Sequence, residues 1–400
     1  MNKLYFFTEA RYIKKEGNYY NPNGVLNYRL FQRYLNVFDH LIIVARVRDC
    51  YFNEENLCTH NNIVNGDKIS VHELCYFVGP FEYLKNKSKV KNQIEHIIKN
   101  LHKKDRCLLR VPGNIGDIAS NLCRKHNVNY AVEVVGDPID VFSKGSNTNV
   151  FRLIFKYLLY FSLKKTVLNA IGVCYITKMV LPIRYPSNLK AFVKIISNVR
   201  LDENDFVNSR ELEIFNPNKD EIKLISIGSL EQMYKSPDIV IKAVKQLIDQ
   251  GYNVKLTWVG DGKYKKDLIN LVENFKLESY ISFIGYLNNK SEINRLLDSH
   301  DIFVLVSRAE AQGRVILEAM ARGKIVVGSN VGGIPENVDI KYLVPKEDVD
   351  ALVQKIIEIK SMKSTLEIQT RNLQKSKEYN EIELQSKRDE FLIMLKNYER

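Results

Sequence analysis

The second half of the chain alternates short, almost wholly apolar runs with longer runs in which apolar residues recur every three or four positions. The short runs have no polar face, which is typical of parallel strands covered by helices on both sides. They are IKLISIG (222–228), VKLTWVG (254–260), YISFIG (280–285), DIFVLVS (301–307) and KIVVGS (324–329). The longer runs, such as SPDIVIKAVKQLIDQG and GRVILEAMARG, predict the intervening helices. This half therefore predicts a doubly wound α/β domain.

The first half repeats the alternation less regularly. Its predicted strands are KLYFFT (3–8), HLIIVAR (40–46), RCLLRV (106–111) and NYAVEVV (129–135). Helical spacing is found in NYRLFQRYLNVF and in VKNQIEHIIKNLHKK. We therefore expect a second Rossmann-like parallel sheet, so that the fold class is α/β with two doubly wound domains.

Length and polarity indicate where the domains divide. A chain of 400 residues usually holds two domains, since one domain takes about 100 to 200 residues. A polar stretch near residues 197–221 predicts a linker. We expect an amino-terminal domain over 1–200, a carboxy-terminal domain over 201–372, and a charged helical tail over 373–400 that packs back on the first domain.

The composition, with 45% hydrophobic and 26% charged residues, is that of a folded globular protein. The 59 Lys and Arg residues exceed the 47 Asp and Glu residues, which gives a net charge of +12. This charge favours an anionic partner, namely nucleic acid, a phospholipid surface or a phosphorylated small molecule. No nucleic-acid recognition motif accompanies it, so we expect no nucleic-acid partner. The six cysteines lack the spacing of a zinc site and are interpreted as reduced thiols.

The first apolar run has four residues, fewer than the roughly 7 to 15 of a secretion signal, and this predicts a cytoplasmic protein. Residues 141–201 contain ten Lys and Arg side chains and no Asp or Glu. Within them, FRLIFKYLLYFSLKK predicts an apolar, aromatic helix with a narrow basic stripe. Residues 150–165 are thus a candidate for peripheral contact with an anionic membrane at the inner face of the cell. The alternative is a core helix whose cations extend to solvent.

A glycine between two glutamates marks the junction of DIFVLVS with the next helix, in the stretch EAQGRVILE. Ligands of parallel α/β sheets bind at such junctions, where free helix N–H groups favour anions. Gly313 permits close approach, so the N–H groups near Gln312, Gly313 and Arg314 would hold a diphosphate. Glu310 and Glu318 would accept hydrogen bonds from hydroxyl groups on either side of it. The alternative is that Glu310 caps the helix and Glu318 is solvated.

The surrounding residues resemble a known family. LISIGSLEQMYKSPDIVIKAV, LTWVGDGKYKKDLINLVENFKLESYISFIGYL and SRAEAQGRVILEAMARGKIVVGSNVGGIPE are similar, in order and spacing, to the carboxy-terminal half of retaining glycosyltransferase family 4. The similarity covers about residues 222–338. It implies a GT-B fold, with two Rossmann-like domains facing across a cleft. It also implies transfer of a sugar from a UDP- or GDP-linked donor to a saccharide or lipid-linked saccharide, in bacterial surface-polysaccharide biosynthesis.

The resemblance assigns roles to individual residues. Glu310 takes the hydroxyl groups of the donor sugar, and Glu318 takes the ribose of the nucleotide. Gly313, with its neighbours, takes the diphosphate. Lys235 occupies the position of a family lysine that pairs with the diphosphate and is counted with Glu310 as catalytic; the alternative is a solvated lysine.

Other matching positions are less regular. Gly228 ends the first strand of the second domain, and Tyr286 falls where the family contacts the nucleobase. Ser229 stands where the family usually has an arginine, so one phosphate partner is replaced. Ala311 replaces the first glycine of the family's Glu-Gly-Phe-Gly. Both acidic positions remain.

The first domain offers fewer candidates. Gly24, in the turn NPNGVL, is the candidate for contact with donor phosphate and acceptor, or it is a plain turn glycine. Many relatives have a strand-end histidine here, but YAVEVVGDPIDVF has none, and Glu133 and Asp137 are the polar groups at that strand end that we take as catalytic candidates. Asp137 has a Gly-Asp-Pro turn as its alternative. Arg110 faces either a phosphate or an ion-pair partner.

The chemistry implied by the resemblance is transfer with retention, in which the leaving diphosphate takes the acceptor's proton. Protein cations neutralise the diphosphate, so we expect no metal and no other cofactor. The one Asp-x-Asp, Asp348 to Asp350, lies in a late polar stretch that does not suit a metal site. A sugar-nucleotide epimerase, a glycosyl phosphorylase and an inactive scaffold relative remain as alternatives.

Overall fold

The structure, a computed structural model, divides into two compact units. It describes residues 1–22, 24–142, 152–210, 212–287 and 289–399. The first unit comprises Met1–Asp137, Leu158–Ile196 and Gln385–Arg400, and the second comprises Pro138–Tyr157 and Ser197–Leu384. Each unit is built around one sheet.

The first unit contains an eight-stranded sheet in the order β4-β3-β1-β5-β6-β7-β8, with β2 paired to β1. Its strands are β1 (Lys3–Lys15), β2 (Asn18–Tyr20), β3 (His40–Asp49), β4 (Ile69–Leu74), β5 (Arg106–Val111), β6 (Tyr130–Val134), β7 (Gly172–Tyr175) and β8 (Phe192–Ile195). Every neighbouring pair is parallel except β1 with β2. The central strand β6 is buried at all five positions, as a sheet covered on both faces requires.

The helices of the first half differ more in length than the strands do. They are α1 (Tyr28–Phe31), α2 (Gly79–Lys99), α3 (Asn114–Lys125), α4 (Pro138–Val141), α5 (Arg152–Leu168) and α6 (Val180–Arg184). The prediction of helix over NYRLFQRYLNVF is right only in part, because α1 is followed by a 3-10 helix over Gln32–Tyr34 and the helical segment ends there. Phe31 and Tyr34 instead pack against Phe6, with ring centroids 5.5 and 5.2 Å away. Core packing of these aromatic rings overrides the helical spacing.

The second unit contains a six-stranded, wholly parallel sheet in the order β11-β10-β9-β12-β13-β14. Its strands are β9 (Glu221–Ile227), β10 (Asn253–Val259), β11 (Ile281–Gly285), β12 (Ile302–Leu305), β13 (Ile325–Ser329) and β14 (Leu343–Val344). The helices that follow are α7 (Pro237–Asp249), α8 (Lys265–Asn274), α9 (Lys290–Asp298), α10 (Arg314–Ala321), α11 (Val349–Lys360), α12 (Leu366–Lys377) and α13 (Glu381–Asn397).

Both sheets have the strand order of a doubly wound Rossmann-like fold. In each, the first strand lies in the interior of the sheet. Later strands are added first on one side of it and then on the other, so the direction of winding reverses between two neighbouring parallel strands. The predicted fold class, two parallel-sheet α/β domains, is confirmed. In the second sheet the reversal falls between β9 and β12, so the loops after these strands leave the sheet at the same edge. Ligands of open α/β sheets bind at this kind of edge.

Spanning helices and metal centres are absent from the described ranges. No helix there has both the length and the apolar character needed to cross a bilayer. No three His, Cys, Asp or Glu side chains there lie close enough to hold a metal ion. The Asp348 carboxylate caps α11 by accepting a hydrogen bond of 2.9 Å from the Ala351 N–H. The six cysteines are free thiols.

The last helix packs on the first sheet. Phe391 on α13 is 1% exposed, and its ring centroid lies 5.1 Å from that of Phe192 on β8. The Arg106 side chain on β5 donates to the carbonyl groups of Leu395 and Tyr398, at 2.9 and 3.1 Å. The carboxy-terminal residues are therefore part of the first unit's core.

Replacing Phe391 with alanine should strongly destabilise the protein, because it leaves a cavity between α13 and β8. We expect a loss of about 3 to 5 kcal/mol in the free energy of unfolding, measured by urea denaturation. Ile393, on the same helix, is 47% exposed and is the matched control, since Ile393→Ala removes little buried surface. An equal loss for both variants would contradict the docking of α13 on the sheet.

Candidate active site

The turn after β9 brings Lys235 back toward the sheet. Gly228 ends the strand and is held by two hydrogen bonds, from its N–H to the Val259 carbonyl at 2.9 Å and from the Trp258 indole to its own carbonyl at 3.0 Å. A Cβ atom on Gly228 would lie 2.9 Å from Cγ of Lys235. The lysine stem therefore passes directly over the glycine, and its ammonium group lies at the edge of the sheet.

Lys235 and Glu310, which are 75 positions apart, form a salt bridge in the second unit. Their side chains are only 10% and 14% exposed. The Lys235 ammonium also lies 5.2 Å from the centre of the Tyr234 ring. Removing either partner would leave a buried charge without compensation, which is costly. The structure thus joins the two residues that the sequence assigned to the donor sugar and the diphosphate.

The turn between Glu310 and α10 has the shape of an anion site. Gly313 has φ +75°, a left-handed conformation that glycine adopts without strain, and it immediately precedes the helix. The N–H groups of Gln312, Gly313 and Arg314 donate to no acceptor in the described part of the chain. Such free N–H groups at a helix start attract negative charge. The backbone is therefore ready to receive phosphate oxygens.

The loop that contains Gly332 and Gly333 packs against this turn. A Cβ atom on Gly332 would lie 1.6 Å from the Glu310 carbonyl oxygen, so only glycine allows this approach. The Gly333 N–H donates to the Ala311 carbonyl at 3.0 Å. Ala311, which replaces a family glycine, therefore has a partner of its own that helps to fix the turn.

The side chains next to Gly313 point in different directions. Gln312 is 4% exposed and accepts a hydrogen bond of 2.8 Å from the Ser197 hydroxyl, so its side chain is turned inward. The Arg314 side chain is exposed. Of the three residues predicted around the diphosphate, Gln312 and Gly313 contribute their backbone, whereas Arg314 also offers a solvent-facing cation.

Glu318 lies on α10, half-buried, in a mixed electrostatic environment. Burial raises the pKa of its carboxyl group above the ordinary value, and Arg314 and Lys290 oppose that rise. The neighbouring Asp205 carboxylate raises the pKa further, while Lys235 lowers it. Glu318 therefore takes up a proton at a higher pH than an exposed glutamate does.

Ser229 and Tyr286 lie at the same edge of the sheet, after β9 and β11. The Ser229 hydroxyl accepts a hydrogen bond of 3.2 Å from the Glu231 N–H, so it stabilises the turn where the family usually has a cation. Tyr286 is 68% exposed. Its ring is available to stack on a flat ligand such as a base.

The candidates of the first domain lie in the first unit. Glu133 on β6 is 6% exposed and accepts hydrogen bonds from the Tyr34 hydroxyl at 2.7 Å and from Arg110 at 3.0 Å. Burial acts to raise its pKa, but Arg110, Arg33 and Arg388, together with the Tyr34 hydrogen bond, hold the pKa below the ordinary value. Both carboxylate oxygens are thus engaged within the unit. These contacts favour an ion-pair role for Arg110 and Glu133.

Asp137 and Gly24 also have local partners. Asp137, 2% exposed, accepts a hydrogen bond of 2.6 Å from the Tyr185 hydroxyl and pairs with Arg184. Gly24 has φ +65°, and its N–H donates to the Asn21 carbonyl at 2.8 Å. Position 23 of the same turn lies outside the described residues. Gly24 therefore occupies a tight turn.

The sequence patterns miss Arg308. It follows β12 by three positions, is 9% exposed, and donates to the Met233 carbonyl, to Asp238 and to Glu347. The sequence did contain an indication of its role. An arginine three positions after a buried strand and two before Glu310 is expected to be buried and therefore to need a partner. Its partners, however, are distant in sequence and only the fold shows them.

Comparison with known proteins places these features in a family. The sequence pattern of the family "Glycosyl transferases group 1" matches residues 208–376. The chain is 31% identical over 357 residues to protein CapJ of Staphylococcus aureus, covering 88% of this chain and 85% of the relative. It is 32% identical over 144 residues to the putative colanic acid biosynthesis glycosyltransferase WcaL of Escherichia coli, covering 34% and 35%.

Solved structures share the fold at lower identity. The crystal structure of Anabaena Alr3699/HepE in complex with UDP and glucose has a TM-score of 0.65 and 17% identity, covering 98% of this chain and 99% of that one. WaaG, a glycosyltransferase involved in lipopolysaccharide biosynthesis, has a TM-score of 0.62 and 15% identity, covering 99% and 100%. The resemblance to glycosyltransferases is confirmed, while family 4 and retention remain predictions. The chain belongs to the glycosyl transferases group 1 family.

Proposed function

We propose that the protein is a retaining glycosyltransferase of the family 4 type that acts in bacterial polysaccharide biosynthesis. The donor in this proposal is a UDP- or GDP-linked sugar, and the acceptor is a saccharide or lipid-linked saccharide. The buried Lys235–Glu310 pair beside the free N–H groups at Gly313 carries the proposal. Two relatives support the biosynthetic role by their names, WcaL for colanic acid and AmsK of Erwinia amylovora for amylovoran.

The donor would bind across the edge of the second sheet. Its diphosphate would take the N–H groups near Gly313 and the ammonium of Lys235, which are the positive groups at this position. Glu310, released from Lys235, would accept hydrogen bonds from the sugar hydroxyl groups. Glu318 would accept hydrogen bonds from the two hydroxyl groups of the ribose. HepE, whose structure holds UDP and glucose, shares the fold.

The proposed reaction breaks the bond between the anomeric carbon and the diphosphate oxygen. The acceptor oxygen forms a bond to the same face of that carbon, which retains the configuration, and its proton passes to the departing diphosphate. Lys235 and the start of α10 stabilise the charge that develops on the diphosphate. These protein groups neutralise that charge in the proposal, which includes neither metal ion nor other cofactor.

Replacing Glu310 with glutamine should abolish turnover while nucleotide binding is largely retained. The amide is neutral, so it neither offers the sugar a carboxylate nor balances the charge of Lys235 between turnovers. Loss of one group that stabilises the transition state electrostatically reduces kcat about 100- to 1000-fold. The assay is release of free nucleotide from radiolabelled UDP- and GDP-sugars. Glu273→Gln, an exposed position on α8, is the control. Full activity in Glu310→Gln contradicts the site assignment, and an isomerised sugar would indicate an epimerase.

Nucleotide affinity should fall in mild acid because of Glu318. Its raised pKa means that the carboxylate is present above that pKa and is lost as the pH decreases through it, at a higher pH than for an exposed glutamate. The protonated group accepts fewer hydrogen bonds from a diol. Calorimetric titration of UDP and GDP between about pH 5 and pH 8 would show this decline. Glu318→Gln should bind more weakly at neutral pH and lack the decline, and an unchanged profile would exclude Glu318 as the ribose ligand.

Helix α5 supports a proposal of membrane contact. Ile154, Leu158 and Phe161 are 58%, 62% and 63% exposed, whereas a core helix would bury them. Lys156 and Lys164 extend from the same helix, and positions 150 and 151 lie outside the described residues. Exposed apolar groups beside cations match an anionic lipid interface. We therefore propose a cytoplasmic protein that binds the inner face of the cell membrane through this helix.

Reversing the charges with Lys156→Glu and Lys164→Glu together should weaken vesicle binding about tenfold or more, since each cation contributes about 1 kcal/mol near anionic lipid. Cosedimentation with vesicles of phosphatidylglycerol and phosphatidylcholine measures the effect. Lys242→Glu together with Lys266→Glu, at two exposed lysines on α7 and α8, controls for net charge. Equal binding of all variants, or no preference for anionic vesicles, would refute the contact.

A further inference from the structure

Arg308 is a buried cation at the edge of the second sheet where β9 and β12 end, and its side chain donates four hydrogen bonds. Its two terminal nitrogens donate to the Asp238 carboxylate at 2.8 and 2.7 Å. Its Nε donates to Glu347 at 2.8 Å, and one terminal nitrogen also donates to the Met233 carbonyl at 2.8 Å. Its own N–H donates to the Tyr234 carbonyl at 2.7 Å. One residue thus ties together the turn after β12, the turn after β9, the start of α7 and the residue before the α11 cap.

Two of the segments that Arg308 holds have a strained backbone. Ser236, next to Lys235, has φ +55°, and Glu347 has φ +62°. A residue other than glycine is strained in this left-handed region and stays there only where the surroundings enforce it. Ser236 is fully buried. The Lys235 turn therefore depends on outside support, and Arg308 supplies two hydrogen bonds to it.

Arg308 also controls the other half of the salt bridge. Arg308 is two positions before Glu310. The hydrogen bonds that fix the main chain and side chain of Arg308 therefore also fix the position of the Glu310 backbone. The same residue therefore sets the position of both Lys235 and Glu310. We propose that Arg308 is a positioning residue that aligns this pair for the donor diphosphate, an inference that rests on the proposed function.

The action of Arg308 is geometric and not a direct charge effect. The hydrogen bond to Asp238 raises the pKa of the Arg308 guanidinium above the ordinary value, so Arg308 stays charged. Two carboxylates, Asp238 and Glu347, more than balance that charge and leave little attraction for a phosphate. A planar guanidinium forms all of these bonds at once, which a lysine cannot do. Arg308→Lys therefore keeps the charge and removes the alignment.

The test is a double-mutant cycle of Arg308→Lys with Lys235→Ala, measured as nucleotide release from UDP- and GDP-sugars. In the wild-type background, Arg308→Lys should reduce kcat about 10- to 100-fold, as a displacement near 1 Å does, with a smaller change in KM. In the Lys235→Ala background the further loss of kcat should be clearly smaller, because the ammonium is absent and only the alignment of Glu310 remains to be lost. Equal losses in both backgrounds would overturn the inference.

Arg322→Lys is the matched control for stability. Arg322 makes an equivalent pair of bonds to Asp298, both 2.7 Å, at the opposite end of α10. Its replacement should lower the melting temperature comparably and leave kcat unchanged. If Arg322→Lys reduces kcat as much as Arg308→Lys does, the effect is general destabilisation and the inference is wrong.

Nucleotide affinity gives a readout that does not depend on residual turnover. The preference for UDP over UMP reports the diphosphate contacts, so it should fall in Arg308→Lys and fall no further in the double variant. A preference unchanged by Arg308→Lys would also refute the inference. If the wild-type protein releases no nucleotide from any donor, the proposed function fails and this inference fails with it. If the wild type is active but the cycle is additive, only the inference fails.

Discussion

The second sheet is organised around one buried pair of opposite charges, Lys235 and Glu310. Neither side chain can be removed from water alone without a large desolvation cost, so the two turns that carry them must meet. They can meet because β9 and β12 are neighbours although they are far apart in sequence, and because the chain reverses its direction of winding between them. The strand order therefore brings the two turns together, and the salt bridge stabilises them there.

Similar residue types have different roles in the two units. Glu133 is more buried than Glu310 and is surrounded by guanidinium groups and a tyrosine hydroxyl, so its charge is balanced within the core. Among the described residues Glu310 has one cationic partner, Lys235, and it lies in a turn beside free N–H groups. A carboxylate with every lone pair satisfied stabilises the fold, while one with a single exchangeable partner is able to bind a ligand.

The sequence predicted the strands better than the helices of the first half. The runs RCLLRV and KIVVGS match β5 and β13 to within one residue, because strands buried on both faces are rich in apolar residues. The helix predicted over NYRLFQRYLNVF is shorter in the structure because Phe31 and Tyr34 pack against Phe6, a contact that no local pattern reveals. The glutamates around Gly313 could be found from a short stretch at a strand end. Arg308 could not, since its partners at 233, 238 and 347 come together only in the fold.

In the proposed donor site, the salt bridge between Lys235 and Glu310 would also make binding selective. With its charge already balanced, the lysine offers little to a simple anion such as inorganic phosphate, which would displace Glu310 and give that carboxylate nothing to bind. A molecule that presents hydroxyl groups and a pyrophosphoryl group together compensates both residues in a single event. Abundant cellular phosphate would thus compete weakly, and recognition in the proposed site would depend on a ligand that has both halves.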